Sequence, residues 1–341
     1  MLCAGSPDPA GFSPWRSTLS FKKIYKIAAG VAFGASLLTL VGPAVGEMVA
    51  TLPPAFTNKN NDAPGSLGLP YENVTFQTTD GLTLRGWFIP ALHANAPAVL
   101  YAPGTSQDQR SGLSLVLPFH RAGYHVLLFS YRGHGQSDGN QIGFTYGAAE
   151  SRDVDAAVQF LVQTIGVHHV GVIGYSAGAA SVILSAARNQ QVGAVVAVAP
   201  YNDVAEVWRT SRPVLVPAFI QDWALWLAEK RKGFDRNQVC PLDVVSRIAP
   251  RPLLVIHGMN DQRILEPQIR RLFAAAQQPK DLWLVPGATH ASIRTSALDE
   301  MMPQVIAFFD KAFVPQLAGH KTGISAGSFP VAQAARQRLA N

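Results

Sequence analysis

The sequence predicts an α/β domain in which a mostly parallel sheet of eight strands is flanked by helices. Short apolar runs alternate with longer helix-like segments through the middle of the 341-residue chain. Uninterrupted apolar runs are typical of parallel strands, because helices cover both faces of the sheet and neither face needs polar side chains. The chain has only two cysteines, far apart in the sequence, so a disulfide framework is not indicated.

The predicted sheet begins with a hairpin and continues with six buried strands. Residues 72–79 and 82–90 flank Asp80-Gly81, a dipeptide typical of tight turns. The hairpin therefore adds an antiparallel edge to the sheet. The parallel strands are predicted at 97–103, 125–130, 169–175, 193–200, 251–258 and 280–287.

Helix-like segments separate these strands. Glycines at 123 and 166 are typical helix stops, and Asp153 and Asp155 are expected on a solvated helix face. Residues 201–249 lack a strand pattern and predict a small helical cap that contains three tryptophans. The other helices are predicted within 112–123, 146–166, 177–189, 266–277 and 296–313.

The front of the chain divides by composition. Residues 1–26 are basic, and residues 27–46 carry no charge. The uncharged segment is about as long as the roughly 20 residues that a membrane-spanning helix needs, so it predicts a transmembrane anchor. Ala44-Val45-Gly46 resembles a signal-peptide cleavage site, which makes a cleaved signal the main alternative and a buried core helix the third.

Both main interpretations place the rest of the chain outside the cytoplasm. Basic residues before the apolar segment favour a cytoplasmic N terminus, so an anchored domain lies on the far side of the membrane. A cleaved signal makes the protein secreted or periplasmic. Residues 47–70 predict a Pro- and Gly-rich linker, 71–313 the folded domain, and 314–341 a flexible tail.

Charge and composition exclude several classes of function. The net charge of +6 comes from the two ends of the chain, and the sequence between them is neutral. A nucleic-acid partner requires a basic stripe on the folded domain, so none is predicted. We find no cluster with metal-ligand spacing and no Gly-rich dinucleotide or phosphate fingerprint. The sequence therefore predicts neither a metal nor a cofactor, and nothing in it indicates an oligomeric state.

Three stretches match G-x-S-x-G, the pattern around the nucleophile of many serine hydrolases. They contain Ser137, Ser176 and Ser325. Only Ser176 stands directly between a predicted strand and a predicted helix, where a sharp turn exposes the hydroxyl. Turn residues surround Ser137, which predicts a loop or structural serine, and Ser325 lies in the tail. Ser176 is therefore the predicted nucleophile.

A serine hydroxyl is a weak nucleophile that needs a base, which a third group orients. Asp261 and His290 each follow a predicted strand, in the order Ser, Asp, His expected for such a sheet. Two backbone amides should stabilise an oxyanion, and we assign them to Ala177 and to Thr105 in the loop after the third strand.

Taken together, the stretches "VTFQTTDGLTLRGWFIP", "VLLFSYRGHGQSDG", "GYSAG", "RPLLVIHGMNDQRI" and "GATH" resemble the α/β-hydrolase family. The similarity is to the serine-hydrolase branch with prolyl-oligopeptidase-like and serine-aminopeptidase-type members. This resemblance implies that Ser176, Asp261 and His290 are nucleophile, acid and base. The family often has His-Gly after the third strand, whereas this chain has Pro103-Gly104.

The predicted activity is hydrolysis of a small carboxylic ester through an acyl-enzyme intermediate. Tyr175, next to the nucleophile, and Trp223, in the cap, are the predicted substrate contacts. An apolar cap on an anchored protein favours acyl esters over peptides. A peptidase of the aminopeptidase type and a catalytically silent binding protein remain the alternatives, because one fold supports many functions.

Overall fold

The computed structural model describes residues 21–53, 55–56, 60–140, 143–210, 217–294 and 296–318. Ser325 and most of the predicted tail lie outside these ranges. Residues 1–42 and 43–341 form separate compact units. Helix α1 (Phe21–Ala50) begins in the first unit. Its segment Lys22–Pro43 is long and apolar enough to cross a membrane, a property that signal sequences share.

The second unit contains one mixed, mostly parallel sheet, as predicted. Its strand order is β1-β2-β4-β3-β5-β6-β7-β8. Strands β1, β2 and β4 pair antiparallel, and every other neighbouring pair is parallel. The strands are β1 (Glu72–Gln77), β2 (Thr83–Ile89), β3 (Ala98–Ala102), β4 (His125–Ser130), β5 (Val170–Tyr175), β6 (Val192–Val198), β7 (Leu253–Gly258) and β8 (Lys280–Val285).

Helices cover both faces of this sheet. Alternate side chains of one strand enter different cores, as Leu100 and Val99 of β3 do, because successive residues of a strand point to opposite faces. The helices of the described chain are α2 (Leu113–Arg121), α3 (Glu150–Gln159), α4 (Ala177–Ala186), α5 (Val204–Thr210), α6 (Ala218–Lys232), α7 (Pro241–Val244), α8 (Glu266–Ala275) and α9 (Ser296–Ala318).

Helix α9 extends beyond the predicted end of the domain. The sequence prediction placed the tail from residue 314, but α9 continues to Ala318. Part of the predicted linker is also folded onto the domain. The ring of Phe56 lies 6.4 Å from that of Trp87, and Arg110 Nη2 donates to the carbonyl oxygen of Ala55 over 3.0 Å.

The prediction of a solvated face is wrong for Asp153. Its side chain is fully buried and accepts hydrogen bonds from the backbone amide and the guanidinium of Arg132 at 2.7 to 2.9 Å. Burial raises the pKa of Asp153 to about 7, although Arg132 acts in the opposite direction. Arg132 also pairs with Asp80, so the buried carboxylate helps to join α3 to the β1–β2 turn.

We expect Asp153→Ala to lower the free energy of unfolding by about 3–5 kcal/mol, because it leaves the partly buried Arg132 without its interior partner. Asp155→Ala is the matched control. Asp155 pairs with Arg188 at a more exposed position and accepts a hydrogen bond from the Ser185 hydroxyl, so its removal should cost less, about 1–2 kcal/mol. Urea unfolding of both variants checks this, and equal losses would contradict the assigned role of Asp153.

Candidate active site

Ser176 forms the turn between β5 and α4. Its backbone adopts φ 55° and ψ −117°, a conformation that costs a non-glycine residue free energy and persists only where the surroundings hold it. The Ser176 amide donates to the carbonyl oxygen of Val198 over 2.8 Å. The carboxyl end of β6 therefore holds the turn, and the serine remains partly exposed.

The two glycines around Ser176 are required by close backbone contacts. A Cβ on Gly174 would overlap the carbonyl oxygen of Gly178. A Cβ on Gly178 would overlap the carbonyl oxygens of Ala102 and Pro103. Helix α4 can therefore begin directly against the end of β3 only because position 178 has no side chain.

The structure brings Ser176, Asp261 and His290 together as a hydrogen-bonded chain. His290 Nε2 lies 3.0 Å from Ser176 Oγ, and His290 Nδ1 lies 2.6 Å from Asp261 Oδ2. Asp261 follows β7 and His290 follows β8. Because parallel strands end at the same edge of the sheet, residues far apart in the sequence meet there.

Asp261 is buried and its second oxygen is fully engaged. Oδ1 accepts the amide hydrogens of Arg263 and Ile264 at 2.8 and 3.0 Å. Burial raises the pKa of Asp261, but the hydrogen bonds from His290 and these amides outweigh it, and the net pKa lies below its usual range. The carboxylate is thus ionised at neutral pH and fixes the orientation of the imidazole.

Tyr175 contacts the segment after β8 that carries His290, here called the histidine loop. Its hydroxyl donates to the carbonyl oxygen of His290 over 2.7 Å, and the two rings lie 5.4 Å apart. Burial raises the pKa of Tyr175 to about 12, so the hydroxyl keeps its proton. The sequence suggested a substrate contact at this position, and only the tertiary structure identifies His290 as its partner.

The two predicted oxyanion donors lie on neighbouring segments. Ala177 is the first residue of α4, so its amide has no carbonyl one turn earlier in the helix. Thr105 lies in the loop after β3, which the contact of Gly178 with Ala102 places beside the start of α4. The amide of Gly104 is engaged by Gln107 Oε1 at 3.2 Å.

Ser137, the second described serine with a G-x-S-x-G frame, has structural contacts. Ser137 Oγ donates to the carbonyl oxygen of Ser130 and accepts the amide hydrogen of Arg85, which ties β2 to β4. His134 and His257 are buried, and burial lowers the pKa of both, which keeps them neutral. Within the described residues, no group of three or more His, Cys, Asp or Glu side chains could hold a metal ion.

Helices α5 and α6 form the main part of the predicted cap; residues 211–216 between them lie outside the described chain. Trp208 of α5 is buried against Tyr146, with ring centroids 6.1 Å apart. Trp223 of α6, the other predicted substrate contact, lies on an exposed face of the helix together with Trp226. One of the three cap tryptophans is therefore buried and the other two are exposed.

Comparison with known proteins identifies relatives of this chain. Residues 113–316 match the model of the prolyl oligopeptidase family, a range that includes Ser176, Asp261 and His290. An uncharacterized protein of Mycobacterium tuberculosis is 32% identical over 225 residues, which cover 64% of this chain and 72% of that protein. A polyketide transferase of Stachybotrys chlorohalonatus is 27% identical over 266 residues, covering 64% and 89%.

Solved structures share the fold. The structure superposes on an esterase from Pyrococcus furiosus with a TM-score of 0.62, at 22% identity, over 76% of this chain and 99% of the esterase. An α/β hydrolase from a Penicillium species gives a TM-score of 0.58 at 23% identity, over 72% and 100%. The fold is therefore that of the α/β hydrolases, as predicted.

We expect Tyr175→Phe to slow the reaction of Ser176 with a fluorophosphonate about three- to tenfold, because one hydrogen bond that holds the histidine loop is lost. Tyr124→Phe is the control, since Tyr124 donates to Asp310 in another part of the domain. The rate of probe incorporation is measured for both variants. Equal rates in Tyr175→Phe and wild type would show that this contact does not position His290.

Proposed function

The chain belongs to the prolyl oligopeptidase family, and on that premise we propose that it is a serine hydrolase that cleaves carboxylic esters through an acyl-enzyme intermediate. The hydrogen-bonded chain from Ser176 through His290 to the buried Asp261 carries this proposal. A serine on a strained turn, a base within hydrogen-bond distance and an ionised group behind the base are the parts that acyl transfer needs.

In the proposed first step, Ser176 Oγ attacks the ester carbonyl carbon as its proton passes to His290 Nε2. The Nδ1–H of His290 donates to Asp261, whose carboxylate stabilises the imidazolium that forms. The bond from the tetrahedral carbon to the alcohol oxygen of the ester then breaks. The alcohol leaves with the proton from His290, and the acyl group stays on Ser176.

In the proposed second step, water takes the place of the alcohol and hydrolyses the acyl-enzyme. His290 takes a proton from a water molecule as the water oxygen attacks the carbonyl carbon of the acyl-enzyme. The bond from that carbon to Ser176 Oγ then breaks, and His290 returns the proton to Oγ, which releases the carboxylic acid and free Ser176. In both steps negative charge develops on the former carbonyl oxygen. We assign its stabilisation to the amides of Ala177 and Thr105. One such donor typically contributes about a hundred- to a thousandfold in rate.

Amide hydrolysis is the second candidate, and the family match favours it, because that family is named for a peptidase. The same residues would serve, with an amine as leaving group. Acyl esters and aminoacyl anilides of matched size distinguish the two activities. A silent binding protein would act on neither substrate.

We further propose that α1 anchors the chain in a membrane with the hydrolase domain outside the cytoplasm. The apolar span Lys22–Pro43 and the basic residues around its start support this orientation. A signal sequence with the same properties would instead be cut, and the domain would be secreted or periplasmic.

We expect a fluorophosphonate to label the wild type, Ser137→Ala and Ser325→Ala, but not Ser176→Ala. Only Ser176 has a base within hydrogen-bond distance among the described serines with a G-x-S-x-G frame. In-gel fluorescence of the four full-length proteins measures the labelling. Persistent labelling of Ser176→Ala, or no labelling of the wild type, would overturn the proposed mechanism.

We propose that Trp223 contacts the acyl chain of the substrate. Trp223→Ala should then lower kcat/KM on long-chain relative to acetyl esters by about tenfold, because this apolar contact is lost. The measurement is kcat/KM for a series of p-nitrophenyl esters. Trp226→Ala serves as the control from the same helix. An unchanged chain-length preference in Trp223→Ala would remove that residue from the pocket.

A further inference from the structure

Helix α6 carries three large aromatic side chains that remain exposed to solvent. Phe219, Trp223 and Trp226 are 70%, 39% and 47% exposed. Their spacing of four and three residues places them on one face of the helix. Side chains of this size rarely remain in water together unless the surface meets a partner.

The opposite face of α6 is packed into the domain, which fixes the orientation of the helix. Ile220, Ala224, Leu225 and Ala228 are buried there. Rotating the helix to bury the aromatic side chains would bring these four into water instead. The aromatic face is therefore a stable surface feature of the cap.

Basic side chains follow the aromatic face. The last turn of α6 contains Lys230 and Arg231, both exposed. Beside Trp226 a cavity of about 500 Å³ is also lined by Lys230 and Arg152. Two acidic residues, Glu229 and Asp235, also line this cavity. Glu229 forms an ion pair with Arg236. Asp235 Oδ1 accepts the amide hydrogen of Asn237. Aromatic side chains beside cations are typical of helices that lie at a membrane surface.

The chain also limits how far this surface can be from the apolar span. Thr51 is tied to the end of α6, because Lys232 Nζ donates to Thr51 Oγ1 over 2.8 Å and the Phe144 amide donates to the Thr51 carbonyl oxygen. Only eight residues lead from Pro43, the end of the span, to Thr51. Even a fully extended chain of that length covers at most about 28 Å.

We propose that the aromatic face of α6 docks on the surface of the membrane that α1 enters. The proposal rests on the anchoring role of α1 proposed above. Phe219 and Trp226 would insert at the level of the lipid headgroups, where aromatic side chains are favoured. Lys230 and Arg231 would meet anionic headgroups. Docking would hold the cap of the hydrolase at the bilayer.

The test is tryptophan fluorescence of the full-length protein in vesicles of phosphatidylcholine and phosphatidylglycerol, with and without lipids brominated near the headgroup. Bromine quenches the fluorescence of only those tryptophan side chains that lie close to it. We expect the double variant Trp223→Phe/Trp226→Phe to lose more than half of the quenching seen in the wild type. Phenylalanine keeps the apolar contact, so the variant removes the reporters while docking is retained.

Trp208→Phe is the matched control, because Trp208 is a buried cap residue, and its quenching should equal that of the wild type. Trp15 precedes α1 in the sequence and adds the same background to every variant. Phe219→Glu adds a charge to the exposed face and should also reduce the quenching. Far-UV circular dichroism verifies that each variant is folded.

Flotation with the vesicles separates the two proposals. If the protein floats but the double variant and Trp208→Phe are quenched equally, docking is wrong and the anchor stands. If the protein does not float, the anchor and the docking both fall. Labelling of Ser176 by the fluorophosphonate is independent of either result, so a failure of the hydrolase proposal is recognised separately.

Discussion

The close packing of backbone at the turn around Ser176 is the constraint on which the rest of the site depends. Strand β5 must end and α4 must begin within one residue, against the carbonyl oxygens of Ala102 and Pro103. Gly178 makes that approach possible. The hydrogen bond from the Ser176 amide to Val198 holds the strained conformation. Larger residues at position 178 would separate the helix from β3 and move the hydroxyl away from His290.

The histidine and aspartate loops depend on the same edge of the sheet. Strands β7 and β8 continue the parallel order from β5 and β6, so their loops emerge beside the turn. Asp261 keeps its charge although it is buried, because two amides and His290 satisfy its oxygens. Tyr175 then joins the nucleophile strand to the histidine loop. The hydrogen-bonded chain is thus supported from three strands, β5, β7 and β8.

The sheet edge around Ser176 and the cap above it depend on different kinds of interaction. The site at the sheet edge is built from backbone constraints, such as the close approach of Gly178 to the carbonyl oxygens of Ala102 and Pro103. The cap and the segment after α1 carry features that depend on individual side chains, such as Lys232 with Thr51. Under the two proposals, the sheet edge would carry out bond cleavage, and the cap would determine substrate choice and placement at the membrane.

The sequence alone determined the fold class, the strand order along the chain and the three residues that meet at the site. Local patterns encode these features: apolar periodicity, the glycines beside Ser176, and polar residues directly after strands. Patterns of this kind do not specify which distant side chains meet. The burial of Asp153 against Arg132, the bond from Tyr175 to His290 and the outward face of α6 all depend on contacts between residues far apart in sequence. Only the tertiary structure decided them, because burial and hydrogen-bond partners arise when separate elements pack together.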